Sequence, residues 1–175
     1  GVLDEAGFTI GRPFWRDTIG FMLHLQEHGR AFFAVNEMGG SPTPPDDPVY
    51  WRNQTLAIPQ AQRQLVLALY LLGKQQAAGV LLCCTQCYGA PVLLPEFSAK
   101  VGAPLEPPRL ATTPTSYTSR RYSGALVLAN AWAAGKEGGV PLTAELQPRA
   151  GGYVDLYGRR YSTTIQLPPE SGAVL

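Results

Sequence analysis

The stretch YVDLYGRRYSTTIQL, residues 153–167, alternates in its second half between larger apolar and polar side chains. Alternation with a period of two places every second side chain on the same face of a strand. One face would carry Tyr161, Thr163, Ile165 and Leu167. A glycine at the first central position of a two-residue turn, as in Gly158-Arg159, is typical of a type II′ hairpin. The stretch therefore predicts a C-terminal β-hairpin over 153–167.

A second segment, SRRYSGALVL at 119–128, shares Arg-Arg-Tyr-Ser and a final leucine with GRRYSTTIQL at 158–167. The similarity favours a strand over 121–130. The alanine-rich run 125–134 also permits a helix, with Ser123 as its N-terminal cap. Two occurrences do not make a repeat architecture.

Two segments have the periodicity and end signals of helices. The first covers about 13–28, with proline at its start and glycine just beyond its end, and the second covers 59–72 with the same punctuation. The second half of 59–72 is apolar on all sides, which is typical of a buried helix. Apolar runs at 31–35 and 79–84 predict short strands. Together these elements predict an α+β fold, a mostly antiparallel sheet with two main helices packed on it.

A chain of 175 residues is long enough for one domain with an ordinary core. We expect a single domain over 1–175, taken from a longer or processed product because the first residue is Gly1. Two segments rich in proline and small polar residues predict flexible loops, at 39–48 and 102–118.

Composition excludes some classes of function. The net charge is +1 and only 15% of the residues are charged, so general nucleic-acid binding is not expected. No apolar run is long enough to span a membrane. The 3 cysteines, an odd number, make a disulfide framework unexpected and favour a reducing compartment, the cytoplasm or nucleus. The abundance of glycine and proline fits a GC-rich genome, bacterial, algal or viral.

The soft metal ligands of the chain form two pairs. His24 and His28 are four residues apart, which places both rings on one helical face. Cys84 and Cys87 have the two-residue gap of a zinc half-site. Together they predict one structural zinc in a closed four-ligand site. The alternative, which carries no cofactor, has the cysteines as small buried side chains and the histidines at the surface.

Two enzyme hypotheses use the same residues. His24 to His28 fits the H-x-x-E-H pattern of inverted zinc peptidases, in which Glu27 would activate water. Residues 84–87 have the spacing of a thiol–disulfide pair, but no helix follows to lower the pKa of the first thiol. The chain also lacks a phosphate-binding glycine loop. These patterns are weak, so the sequence favours a function without catalysis.

Two further groups of residues predict contacts with other molecules. The Arg-Arg pairs could hold a phosphate or carboxylate by bidentate contacts, and they comprise Arg120, Arg121, Arg159 and Arg160. Large aromatic side chains near element ends could anchor a protein interface, namely Phe14, Trp15, Tyr50, Trp51 and Trp132. We therefore expect a non-catalytic interaction or assembly module with a protein partner or self-association, for example an accessory part of a larger complex or virus.

Overall fold

A computed structural model describes residues 2–4, 15–37, 59–75, 79–84, 95–135 and 138–175. Its first part alternates strands and helices, in the order β1 (Val2–Asp4), α1 (Trp15–Glu27), β2 (Phe32–Glu37), α2 (Gln60–Gly73) and β3 (Gly79–Cys84). The three strands form a parallel sheet in the order β1-β2-β3. Parallel neighbours need a crossover between them, and α1 precedes β2 as α2 precedes β3.

The second part consists of antiparallel strands after a short 3₁₀ helix, Pro95–Ser98. These strands are β4 (Thr118–Arg121), β5 (Leu126–Asn130), β6 (Leu142–Glu145), β7 (Tyr153–Val154), β8 (Arg160–Tyr161), β9 (Thr164–Leu167) and β10 (Ser171–Val174). Three sheets result, with strand orders β10-β5-β4, β6-β9 and β7-β8. The prediction of an α+β fold with two helices and antiparallel pairing is confirmed.

The sheet β10-β5-β4 separates two apolar cores. Val127 and Ala129 of β5 pack with α1 and α2 in the first core. Leu128, between them, packs with the inner faces of β6 and β9 in the second core. Successive side chains of a strand point to opposite faces, so one strand serves both cores.

Helix α2 is buried along its length from Arg63 to Gly73, as its apolar sequence predicts. It lies between α1 on one side and β5 and β10 on the other. Gly172 in β10 permits this close approach, because a Cβ there would lie 2.8 Å from the Gln64 carbonyl oxygen. Gln26 fixes α1 to the end of α2, with its Nε2 donating to the Gly73 carbonyl at 2.8 Å.

The boundaries of the elements agree with most of the sequence predictions. Both helices lie within two residues of the predicted ends, and residues 13 and 14 lie outside the described residues. The segment 121–134 contains strand β5 rather than the alternative helix. The loop 39–48 also falls outside the part that the structure describes. The segment 102–117 carries no named strand or helix. It runs alongside β4, and the backbone N–H groups of Leu105 and Arg109 donate hydrogen bonds to the backbone of that strand.

The C-terminal hairpin is present but differs in detail. Its strands β7 and β8 are only two residues long, with Tyr153 opposite Tyr161. The predicted two-residue turn is wrong, because a loop of residues 155–159 joins the strands. Asp155 shapes this loop by accepting hydrogen bonds from the backbone N–H groups of Tyr157 and Arg159, each at 2.9 Å. The run beyond Tyr161 leaves the hairpin and pairs with β6 instead.

Candidate functional site

The outer face of β4 forms the floor of a surface groove. Thr118 and Arg120 point inward and are buried, so Ser119 and Arg121 point outward. The small sheet β6-β9 packs on Leu128 of the neighbouring strand β5. The groove has a volume of about 570 Å³, and its polar lining includes Glu106, Arg109, Tyr117, Arg121, Glu145, Arg149 and Tyr153.

Opposite charges alternate along one wall of the groove. Arg121 donates to Glu106 Oε2 at 3.0 Å, and Arg109 lies 3.8 Å from the same oxygen. The hydrogen bond from Arg121 lowers the pKa of Glu106, so this carboxylate stays charged at neutral pH. Both arginines remain accessible, since the side chain of Arg109 is 76% exposed and that of Arg121 is 59% exposed. One carboxylate thus holds two guanidinium groups in place without covering either.

Arg149 and Tyr153 also line the groove. The Arg149 guanidinium lies over the Tyr153 ring, 5.8 Å from its centroid, which is the geometry of a cation–π contact. Tyr153 itself is buried and belongs to the second core. The core therefore fixes the ring, and the ring in turn orients an exposed cation.

Leu105 stands at the rim of the groove with 61% of its surface exposed. It precedes Glu106 in the sequence PLEPP, residues 104–108, whose prolines hold the backbone extended. On its other side lies a second groove of about 480 Å³, lined in part by Pro107, Pro108 and Leu23. An exposed leucine on a stiff segment between two grooves is an apolar side chain available to another molecule.

The structure separates the four predicted anion-binding arginines. Arg120 is 4% exposed and donates to backbone carbonyls of Leu72 at 2.9 Å and Lys74 at 2.7 Å, at the end of α2. The expectation that Arg120 faces an anion is corrected, because its guanidinium satisfies the otherwise unpaired carbonyls of a helix end. Arg121 lines the groove. Arg159 and Arg160 are exposed on the hairpin, away from the groove lining.

The predicted aromatic anchors fall into two groups. Trp15 is only 3% exposed and packs edge-on against Trp132, with ring centroids 5.9 Å apart. Both tryptophans therefore contribute to the first core, and Trp15 has no ring surface available to a partner. Phe14, Tyr50 and Trp51 lie outside the described residues.

Of the predicted metal ligands, the structure brings the two histidines together. Their rings are exposed, with centroids 4.4 Å apart. Cys84 is the last residue of β3, and only its backbone is described, whereas Cys87 lies outside the described residues. No group of three or more His, Cys, Asp or Glu side chains that could hold a metal ion occurs in the described ranges. The four-ligand zinc site and the peptidase site both stay predictions.

A buried polar cluster was not expected from the sequence. Glu96 in the 3₁₀ helix accepts at Oε1 from Arg63 Nε, at 2.7 Å, and from the hydroxyl of Tyr157. Burial favours the neutral acid, but hydrogen bonds from Tyr157 and Arg63 outweigh it, and the pKa of Glu96 is lowered. Burial, together with the hydrogen bond to Glu96, raises the pKa of Tyr157 to about 12. The cluster joins α2, the 3₁₀ helix and the hairpin loop.

The groove residues that the sequence missed are Glu106, Arg109, Tyr117, Glu145, Arg149 and Tyr153. They come from four separate segments, and no local spacing marks them as a set.

None of the helices in the described ranges is long and apolar enough to cross a membrane. A scan of the chain against protein-family models finds no match, and a search of curated proteins likewise finds no similar sequence.

Proposed function

We propose that the protein is a non-catalytic interaction module that binds a protein partner through the groove on the outer face of β4. The observation that carries this proposal is the combination of accessible arginines, a tyrosine fixed by the core and the exposed Leu105 around one concavity. Tyrosine and arginine are enriched among residues that dominate binding energy at interfaces. The second core already orders Tyr153, which reduces the entropy that this side chain loses on binding.

The partner segment would carry carboxylates and at least one apolar side chain. Arg109, Arg121 and Arg149 outnumber the two glutamates that line the groove, so acidic side chains would meet an excess of positive charge. Guanidinium groups bind carboxylates through two parallel hydrogen bonds. An apolar residue beside them would cover Leu105. A second copy of this chain would satisfy the proposal if it presents such a segment, which would make the interaction a self-association.

The test uses a fluorescein-labelled peptide of alternating glutamate and leucine and measures its anisotropy with the purified chain. A peptide of alternating lysine and leucine is the charge control. We expect binding of the acidic peptide only, weakened about tenfold in Arg121→Ala, since a charged hydrogen bond contributes about 1.5–3 kcal/mol. Leu105→Asp should weaken it by a similar factor.

Val140→Asp is the matched control, because Val140 is also exposed, at 39%, but does not line the groove. Equal effects of Leu105→Asp and Val140→Asp would contradict the groove as the binding surface. Sedimentation velocity of the unmodified chain, over a range of concentrations, tests self-association. If the acidic peptide does not bind and the chain does not self-associate, the proposed function is overturned.

We place this function inside the cell, in the cytoplasm or nucleus, because the 3 cysteines suit a reducing compartment.

The second candidate function is that of a zinc-stabilised binding domain with His24, His28, Cys84 and Cys87 as ligands. The observation that favours it is the 4.4 Å separation of the histidine rings. One zinc per chain, lost together with thermal stability on chelation, would support it. Cleavage of peptides that disappears in Glu27→Gln would instead support a metallopeptidase.

A further inference from the structure

The end of helix α1 presents two histidines side by side. His24 lies in the last turn and His28 follows immediately after Glu27, the final helical residue. Both rings are exposed and tilted at 48° to each other, with centroids 4.4 Å apart. Side chains four residues apart are neighbours on a helix surface. The backbone therefore holds two imidazoles within reach of one small ion.

The hydrogen bond of His28 decides which ring nitrogen is available. Nδ1 of His28 lies 2.8 Å from the backbone carbonyl oxygen of His24. A carbonyl oxygen only accepts, so in the neutral imidazole Nδ1 carries the proton and Nε2 of His28 keeps its lone pair. Metal-binding histidines generally donate their other N–H to a carbonyl or carboxylate, which fixes the tautomer and the ring orientation. The hydrogen bond that would orient His28 as a metal ligand is therefore already present.

We propose that His24 and His28 bind a divalent transition metal ion in an open site that does not need the cysteines. Nε2 of His28 and one ring nitrogen of His24 are the protein ligands, and water fills the remaining positions. The described residues supply no third His, Cys, Asp or Glu in a group that could hold a metal. Imidazole suits zinc, nickel and copper, and for a given site the affinity rises from nickel to copper.

The position in the helix supports a cation at this site. The last carbonyl groups of a helix carry partial negative charge, which attracts cations to its C-terminal end. The ion would also join two consecutive turns of the peptide chain at the point where α1 ends. Bound metal should therefore raise Tm, by about 5 °C or more at a hundredfold excess over Kd. The open positions leave room for ligands from another molecule.

Isothermal titration of the metal-free full chain with nickel chloride tests the proposal. Each histidine is exchanged for asparagine, in the natural chain and in the Cys84→Ser, Cys87→Ser chain. We expect one ion per chain, with Kd raised at least tenfold by His24→Asn or His28→Asn. The two cysteine substitutions should leave Kd unchanged. Circular dichroism checks that each variant is folded, and both exposed histidine positions should tolerate the change.

The outcomes separate this site from the four-ligand zinc site. Loss of nickel binding in the Cys84→Ser, Cys87→Ser chain would overturn the open site, since the cysteines would then be required. Absence of binding to the natural chain, or binding that survives both histidine substitutions, would overturn it as well. None of these results bears on peptide binding at the groove, so the interaction function is tested independently.

Discussion

Glu96 is the residue whose burial most demands an explanation, because its side chain is fully covered. Hydrogen bonds from Arg63 and Tyr157 stabilise the charged carboxylate. Removing one member of a buried ion pair leaves the other charge without compensation. The cost of that loss exceeds the value of a surface pair, which is about 0–1 kcal/mol. This residue is therefore a structural link between α2, the 3₁₀ helix and the hairpin loop.

We predict that Glu96→Gln lowers the free energy of unfolding by about 3 kcal/mol at pH 7, because the buried guanidinium of Arg63 keeps its charge and loses the negative charge of Glu96. Urea unfolding followed by circular dichroism measures the change. Glu145→Gln is the matched control, since Glu145 is exposed on β6 and should change stability by less than about 0.5 kcal/mol. Equal losses in the two variants would show that the buried ion pair has no special role.

The difference in stability between the natural chain and Glu96→Gln should also change with pH, and in one direction. Because the pKa of Glu96 is lowered in the folded state, its charged form stabilises the fold above the ordinary pKa of 4.5. The difference in stability between the natural chain and Glu96→Gln should shrink as the pH falls below 4.5. Urea titrations between pH 7 and pH 3 measure this difference, in which contributions common to both proteins cancel. A difference that stays constant with pH would refute the assignment.

At the scale of elements, the end of helix α2 is secured by side chains from β4 and the turn after it. Arg120 donates to carbonyls at the end of the helix, and the hydroxyl of Tyr122 donates to Leu71. Burial lowers the pKa of Arg120, although Tyr122 and Glu106 oppose that effect. Helix α2 lacks a basic residue in its last turn, so Arg120 supplies the positive charge from another element.

We predict that Arg120→Ala lowers the free energy of unfolding by about 3 kcal/mol, because it removes the side-chain donor to the buried Leu72 carbonyl and one donor to the Lys74 carbonyl. Its neighbour provides the control. Arg121→Ala removes an exposed ion pair and should cost less than about 1 kcal/mol. Thermal unfolding of both variants checks the difference, and a larger loss in Arg121→Ala would contradict this account of the strand.

The close contact between β10 and α2 can be tested by substituting a glycine inside it and, as a control, a glycine in α1. Gly172→Ala would place a methyl group within 2.9 Å of Gln64, Leu65 and Ala68, so we expect a loss of about 2 kcal/mol or more. Gly20→Ala, in α1, meets no atom within 4 Å and should stabilise the helix by about 0.5–1 kcal/mol. Denaturant midpoints of the two variants should therefore move in opposite directions. Two shifts of the same sign would contradict the close packing.

At the scale of the whole molecule, β5 belongs to both apolar cores. A substitution that destabilises one core should therefore also lower the stability of the other. We predict that Leu128→Ala, in the second core, lowers stability by about 2–5 kcal/mol. It should shift the unfolding midpoint reported by tryptophan fluorescence, to which Trp15 and Trp132 of the first core contribute, as much as that reported by circular dichroism. Two separate transitions would show instead that the cores unfold independently.

Local patterns in the chain account for the elements but not for their arrangement. The ends of both helices follow from proline and glycine, whose backbone restrictions act within a few residues. The preference for a strand over 121–130 is confirmed for 126–130, whereas Arg121 ends β4 and residues 122–125 join the two strands. By contrast, the parallel pairing of β1, β2 and β3 depends on hydrogen bonds between segments far apart in the chain, and no local pattern encodes it.

The sequence by itself determined the α+β class, both helices and the position of the hairpin, since periodicity and turn residues are local properties. It also placed the rings of His24 and His28 next to each other, because only four positions along the chain separate them. Only the tertiary structure decided the role of each arginine. Arg120 and Arg121 are adjacent in the chain, yet the pleat of β4 turns one to a buried helix end and the other to an exposed groove. Burial and partner, rather than residue type, set what each charge does.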